Sequence, residues 1–133
     1  MNQVICPKCD AVLNPENKVI LSARKNDGKW GLILLSSQLG NYSVINHECF
    51  QIAEGESVKF YCPACHVSLS DYAPKNQLVG LEIIEENNQK HTILISAVAG
   101  EKCTYKIVDG EIKSYGKDAT KYRFDYQNLV DLV

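Results

Sequence analysis

Apolar and polar positions alternate along much of the chain, and short polar clusters interrupt the alternation. Residues 17–36, NKVILSARKNDGKWGLILLS, hold two apolar runs around NDG. That pattern predicts two strands joined by a tight hairpin turn. Residues 77–98, QLVGLEIIEENNQKHTILISAV, predict a second hairpin with ENNQK as its loop. Residues 101–116, EKCTYKIVDGEIKSYG, predict a third, turning at Asp109 and Gly110. Between the first two, residues 40–62 read as further extended segments bent at AEGES. Val, Ile, Tyr and Thr recur in these runs, as pleated, half-buried strands favour. Helix is scarce. Its best candidate is residues 116–133, where Asp118 or Thr120 would cap a short turn and Leu129, Val130, Leu132 and Val133 would pack near its end. The expected fold class is mainly β, built from antiparallel hairpins.

Two stretches repeat one unit. VICPKCDAVL at 4–13 and KFYCPACHVSL at 59–69 each carry C-P-x-C between apolar residues. A C-x-x-C turn lets both sulfurs face one point, and the proline stiffens it by fixing φ. Two such knuckles supply four thiolates, the tetrahedral shell that Zn²⁺ takes in structural sites. Cys6, Cys9, Cys62 and Cys65 are therefore the expected metal ligands. Four protein ligands leave no position for water or substrate, which argues against hydrolysis by a zinc-bound hydroxide. The 52 residues between the knuckles, 10–61, exceed the usual ribbon spacing of roughly 15–20. A cross-link of that span removes ~4 kcal/mol of unfolded-chain entropy if it acts as a disulfide does.

Zinc is favoured over iron. Knuckles of rubredoxin type place glycine after the second cysteine, where φ is positive; here Asp10 and His66 stand there. A thioredoxin-like redox role wants one motif near a βαβ unit and a helix start, and neither is visible. Cys49 and His47 in NHECF could form another ligand pair, but no complementary pair is present, so Cys49 is expected as a small buried thiol on a strand. Cys103 alternates with Tyr105 and Ile107 and should face the core. His66 is expected to be solvated, the alternative being a hydrogen bond near the sulfurs, and His91 is expected to sit incidentally at a hairpin edge. Trp30 and the tyrosines are expected in the core or in cross-strand pairs.

LSDYAPKNQ, residues 69–77, has the composition of a connector. It divides the chain into a zinc-clipped β lobe at 1–70, ribbon-like in its knuckles, and a β-rich unit at 75–133. Each is small, so the two are expected to share one core.

Composition then narrows the function. Of 133 residues, 45% are apolar and 23% charged, so a real core can form. No apolar run is long enough to cross a bilayer and no leader-like segment opens the chain, so a cytoplasmic protein is expected. The formal net charge is −2, and four bound thiolates with one divalent ion lower it by two more units. That disfavours nonspecific nucleic-acid binding. Lys25 and Lys29 lie in the basic stretch ARKNDGK, which also reads as a hairpin tip. Phosphate-loop, G-x-S-x-G and H-E-x-x-H patterns are missing, and no two carboxylates are singled out by spacing.

The phrases Leu35-Ser36-Ser37, Gly40-x-Tyr42, Glu54-Gly55 and Phe60-x-Cys62-Pro63-x-Cys65 resemble those of small uncharacterised bacterial zinc-ribbon proteins. The likeness spans about residues 30–70. It departs at His66, where that group has glycine, and after residue 70, where further cysteine pairs often follow and this chain has only Cys103. The resemblance implies metal binding and nothing further.

The expected function is that of a non-enzymatic zinc protein with a structural four-cysteine site. It would meet a protein partner, or a second copy of itself, through strand edges or hairpin tips. One alternative is a redox- or metal-responsive thiol switch that releases zinc. A weaker one is a nucleic-acid-binding ribbon.

Overall fold

The computed structural model describes residues 2–74 and 77–119. They form nine strands: β1 (Gln3–Ile5), β2 (Lys18–Arg24), β3 (Trp30–Ser36), β4 (Val44–Asn46), β5 (Lys59–Tyr61), β6 (Leu78–Ile84), β7 (Lys90–Ser96), β8 (Thr104–Val108) and β9 (Glu111–Tyr115). A single 3₁₀ turn, Leu69–Tyr72, precedes β6. The fold is mainly β, as expected. The candidate helix falls almost wholly on residues 120–133, outside the described residues.

The three local hairpins form where the turn signals stand. β2 pairs with β3, β6 with β7 and β8 with β9, all antiparallel. Gly28 at φ 88°, Asn88 at φ 64°, and Asp109 with Gly110 at φ 50° and 80° take the left-handed conformations that these turns need.

The strands assemble into two antiparallel sheets. One has the order β4-β3-β2-β5 and the other β1-β6-β7-β8-β9. β1 joins the second sheet, pairing antiparallel to β6 with Val4 opposite Ile83, although the first sheet is built from the residues that follow it. The main core lies between the sheets. Val19, Leu21, Ala23, Ile33 and Phe60 from the first meet Val4, Val79, Leu81, Ile83 and Ile93 from the second in one buried cluster. Residues on both sides of the 69–77 connector thus contribute to it.

The far face of the five-stranded sheet is buried too. Leu78, Leu94, Tyr105, Ile107, Cys103 and Ala119 form a second cluster there, and the Tyr105 hydroxyl donates to the Ala119 carbonyl at 2.5 Å. The 3₁₀ turn also packs on this sheet. A Cβ on Gly80 would lie 2.1 Å from the Tyr72 carbonyl oxygen, so only glycine lets the two backbones approach. The outer face of the four-stranded sheet is different. Trp30 and Leu32 of β3 and Ile45 of β4 lie there, 56%, 54% and 51% exposed, and the Trp30 and Tyr61 rings meet across β2 at 5.0 Å.

Candidate metal centre

Each cysteine knuckle grows from the end of a short strand. The first follows β1 and the second follows β5. In the first, the Cys6 N–H donates to the Ala11 carbonyl at 3.0 Å and the Asp10 N–H to the Cys6 carbonyl at 3.0 Å. The second repeats this, with Cys62 to Val67 at 3.1 Å and His66 to Cys62 at 2.9 Å. Asp10 and His66 sit at φ 62° and 67°. Both therefore adopt the left-handed conformation expected of glycine at that place, and Asp accepts it better than most residues. Each knuckle closes with an isolated bridge, Ile5 to Val12 and Tyr61 to Ser68. Backbone N–H groups turn toward the sulfurs. Lys8 points at Cys6 Sγ at 3.4 Å, and Ala64 and Cys65 point at Cys62 Sγ at 3.3 and 3.4 Å. Such donors stabilise a thiolate over a thiol.

The two knuckles face each other. Cys6 Sγ lies 3.7 Å from Cys65 Sγ, and Cys9 Sγ lies 3.8 Å from Cys62 Sγ. All four sulfurs lie within 4.8 Å of one another. A metal with four sulfurs at ~2.3 Å has tetrahedral edges of about 3.8 Å. A disulfide would need about 2.05 Å, and none of the four cage cysteines forms one. The four side chains that the sequence singles out are thus brought together in a cage that could hold a metal ion. Among the described residues, no other group of three or more His, Cys, Asp or Glu side chains converges this way.

Electrostatics in the cage favour a cation. Burial pushes the Cys6 thiol up to about 12, against the lowering effect of the Cys9 and Lys8 N–H groups. Cys65 goes the other way, lowered first by the Val67 N–H. Four sulfurs this close cannot all carry charge without a counter-ion, and a divalent metal supplies one. Cys6 and Cys62 are buried, Cys65 is partly covered, and Cys9 is exposed.

The other cysteines stay apart. Cys103 is fully buried, as its alternation with Tyr105 and Ile107 requires. Cys49 corrects the expectation of a buried thiol on a strand. It is exposed in the turn after β4, where its N–H donates to His47 Nδ1 at 2.9 Å. The strand ends at Asn46, one residue before His47, so the apolar alternation does not reach Cys49. His91 is part of a charged group, 3.9 Å from the Glu85 carboxylate. Lys106 also pairs with Glu85 and, as the largest cause, holds that carboxyl below its usual range. Two lysines of the basic hairpin tip bond to the neighbouring turn: Lys25 donates to the Gln51 carbonyl and Lys29, itself exposed, to the Cys49 carbonyl.

No protein-family model, curated protein or solved structure matches this chain at a significant level.

Proposed function

We propose that Cys6, Cys9, Cys62 and Cys65 hold one structural zinc ion, and that the protein is a non-enzymatic interaction module of the cytoplasm. The observation that carries the metal reading is the placement of the knuckles. One hangs on β1 of the five-stranded sheet and the other on β5 of the four-stranded sheet, with two sulfur pairs across them at tetrahedral spacing and all four sulfurs within 4.8 Å of one another. A metal there cross-links the two halves of the sandwich. Zinc is preferred to ferrous iron because N/S sites bind it more tightly. The closed thiolate shell suits a structural role and offers no position for substrate.

The interaction reading rests on the four-stranded sheet. Its outer face presents Trp30, Leu32 and Ile45 to solvent, and among the described residues β4 is an edge strand paired with β3 alone. Apolar surface and an open edge together suit a protein partner or a second copy. Lys25 and Lys29 are engaged by the carbonyls of Gln51 and Cys49, and Lys25 also by the Glu56 carboxylate, which weakens a nucleic-acid reading. The thiol-switch reading has one supporting observation, the exposure of Cys9, which gives an oxidant access to the cage.

Elemental analysis of the isolated full chain, with a free-thiol count, tests the proposal. One zinc per chain and one fast-reacting thiol, the exposed Cys49, are expected in the native chain, with the buried Cys103 slow to react and the metal lost in Cys6→Ser and in Cys62→Ser. A metal-free chain with four additional reactive thiols would overturn it. Zinc release at modest peroxide, reversed by reductant, would move the protein to the switch reading.

A further inference from the structure

The inner faces of the two sheets do not close on each other throughout. A cavity of about 410 Å³ lies between them. That is the size of a small-molecule site, roughly 300–1,000 Å³. It far exceeds the few water-sized voids that native cores leave. Its walls are apolar: Ile33 and Leu35 of β3, Phe60 of β5, Leu81 of β6 and Ile95 of β7. Leu35 and Ile95 stand opposite the buried Val19 and Val79 in register and so face inward, yet both remain only partly buried. The open space beside them is what leaves them uncovered. None of the four clustered cysteines lines this cavity, so it is a second place, apart from the candidate metal centre.

Its mouth is polar. Ser37, Gln38 and Asn41 of the β3–β4 loop offer neutral donors and acceptors. Among the described residues, Glu54, Glu101 and Lys102 are the charged residues at the rim. The Glu101 carboxylate accepts from the Ser96 hydroxyl at 2.7 Å. The neutral Ser37, Gln38 and Asn41 side chains can hydrogen-bond a neutral head group, and the Glu54 carboxylate disfavours an anionic one. We propose that the cavity binds a small, elongated, neutral apolar molecule with one hydrogen-bonding end, of the class of medium-chain alcohols, amides or esters. The apolar body would lie along the inner faces of β3 and β7, and the polar end would meet the β3–β4 loop.

The test is a fluorescence titration of the isolated full chain with the neutral dye N-phenyl-1-naphthylamine, followed by displacement. One saturable site per chain is expected, and 1-decanol should displace the dye at least tenfold more effectively than decanoate at pH 8. Val44 is the residue to vary. It faces the cavity from the edge strand and is 51% exposed, so Val44→Trp can cover the mouth with little demand on the core. It should weaken dye binding at least tenfold while the circular-dichroism spectrum and Tm hold. Ile95→Phe, which fills the interior, should do the same. Leu32→Ser, on the outer face, should change nothing. Absence of saturable uptake overturns the proposal. So does uptake that survives both cavity substitutions and vanishes with Leu32→Ser, because the dye would then sit on the exposed sheet. Equal displacement by decanoate overturns the neutral class of ligand.

Discussion

The sandwich is closed at its two edges by different chemistry. At the edge formed by β1 and β5, four sulfurs converge from two knuckles. At the opposite edge, near β4, β8 and β9, one side chain spans the gap. The Tyr42 hydroxyl donates to the Tyr115 carbonyl at 3.0 Å and meets the Thr104 hydroxyl at 3.0 Å. Since the tyrosine proton goes to the carbonyl, the threonine donates to the tyrosine oxygen. Thr104 is itself buried. Between the edges, a backbone ladder ties residues 55–58 to 97–99, with Val58 N–H on the Ala97 carbonyl at 3.0 Å and Ala99 N–H on the Glu56 carbonyl at 2.9 Å. The lesson is one of strength and reversibility. A metal that binds the folded cage and not the unfolded chain adds its binding free energy to folding, whereas a hydroxyl bridge is worth roughly 0.5–1.5 kcal/mol net. If the cage holds the proposed metal, one edge is a strong closure that depends on an ion. The other is a weak closure that needs only protein, and the cavity mouth lies beside it.

Removing the strong closure should have the largest effect. Cys62→Ser, or a chelator on the native chain, should lower stability by about 4 kcal/mol or more, read as a large fall in the urea midpoint. A midpoint shift under about 1 kcal/mol would mean that the sandwich holds without this edge. At the tyrosine edge the severest change is Gly116→Ala. Gly116 has φ 96°, and a Cβ there would meet the Lys102 carbonyl at 2.2 Å and the Tyr42 hydroxyl at 2.6 Å. A loss of about 2 kcal/mol or more is expected. Tyr42→Phe, which removes only the hydroxyl, should cost about 1–2 kcal/mol because Thr104 is left buried with a lost partner. If the two edges act independently, Tyr42→Phe and Cys62→Ser should add to within about 0.5 kcal/mol.

A pH series separates the edges without mutation. Acid protonates thiolates and should release metal, so the cysteine edge opens as pH falls. The tyrosine edge responds to base. Burial raises the Tyr42 phenol above its ordinary value of 10.0, against a lowering hydrogen bond from Thr104. Its folded-state pKa is raised, so its contribution is intact below the unfolded value and is lost as pH climbs through the folded one. Stability should therefore fall above pH 10 in the native chain, and less so in Tyr42→Phe. The smallest effect is expected on the outer face, where Leu32→Thr should change stability by less than about 0.5 kcal/mol. A larger loss would show that this face contributes to the fold itself.

The parts of this structure legible from the sequence are those that local chemistry specifies. NDG, ENNQK and Asp109-Gly110 place three turns because positive φ and short polar clusters act over a few residues. The four metal-site cysteines are legible for the same reason, since each C-P-x-C turn is complete in itself. The pairing of β1 with β6 is not, because a three-residue strand carries too little pattern to choose among distant edges. Nor is the Tyr42 bridge, whose acceptor Tyr115 is 73 residues away. Cys49 escapes the pattern because apolar alternation around it suggests a strand that in fact ends at Asn46. The cavity leaves no trace in hydrophobic patterning, because Leu35 and Ile95 follow the inward rhythm of any core strand.

The placement of β1 also sets an order of events during synthesis. The four-stranded sheet uses residues 18–61 and can assemble from a continuous stretch of emerging chain. β1 is made first, yet its partner β6 begins only at Leu78. The leading knuckle meets the trailing one only after Cys65 is made. The first of the described strands therefore waits for its ladder partner, held by its local bridge to Val12 and the Leu13 N–H on the Val4 carbonyl, while a sheet forms behind it, and the cage that joins it to the second knuckle is among the last contacts to close.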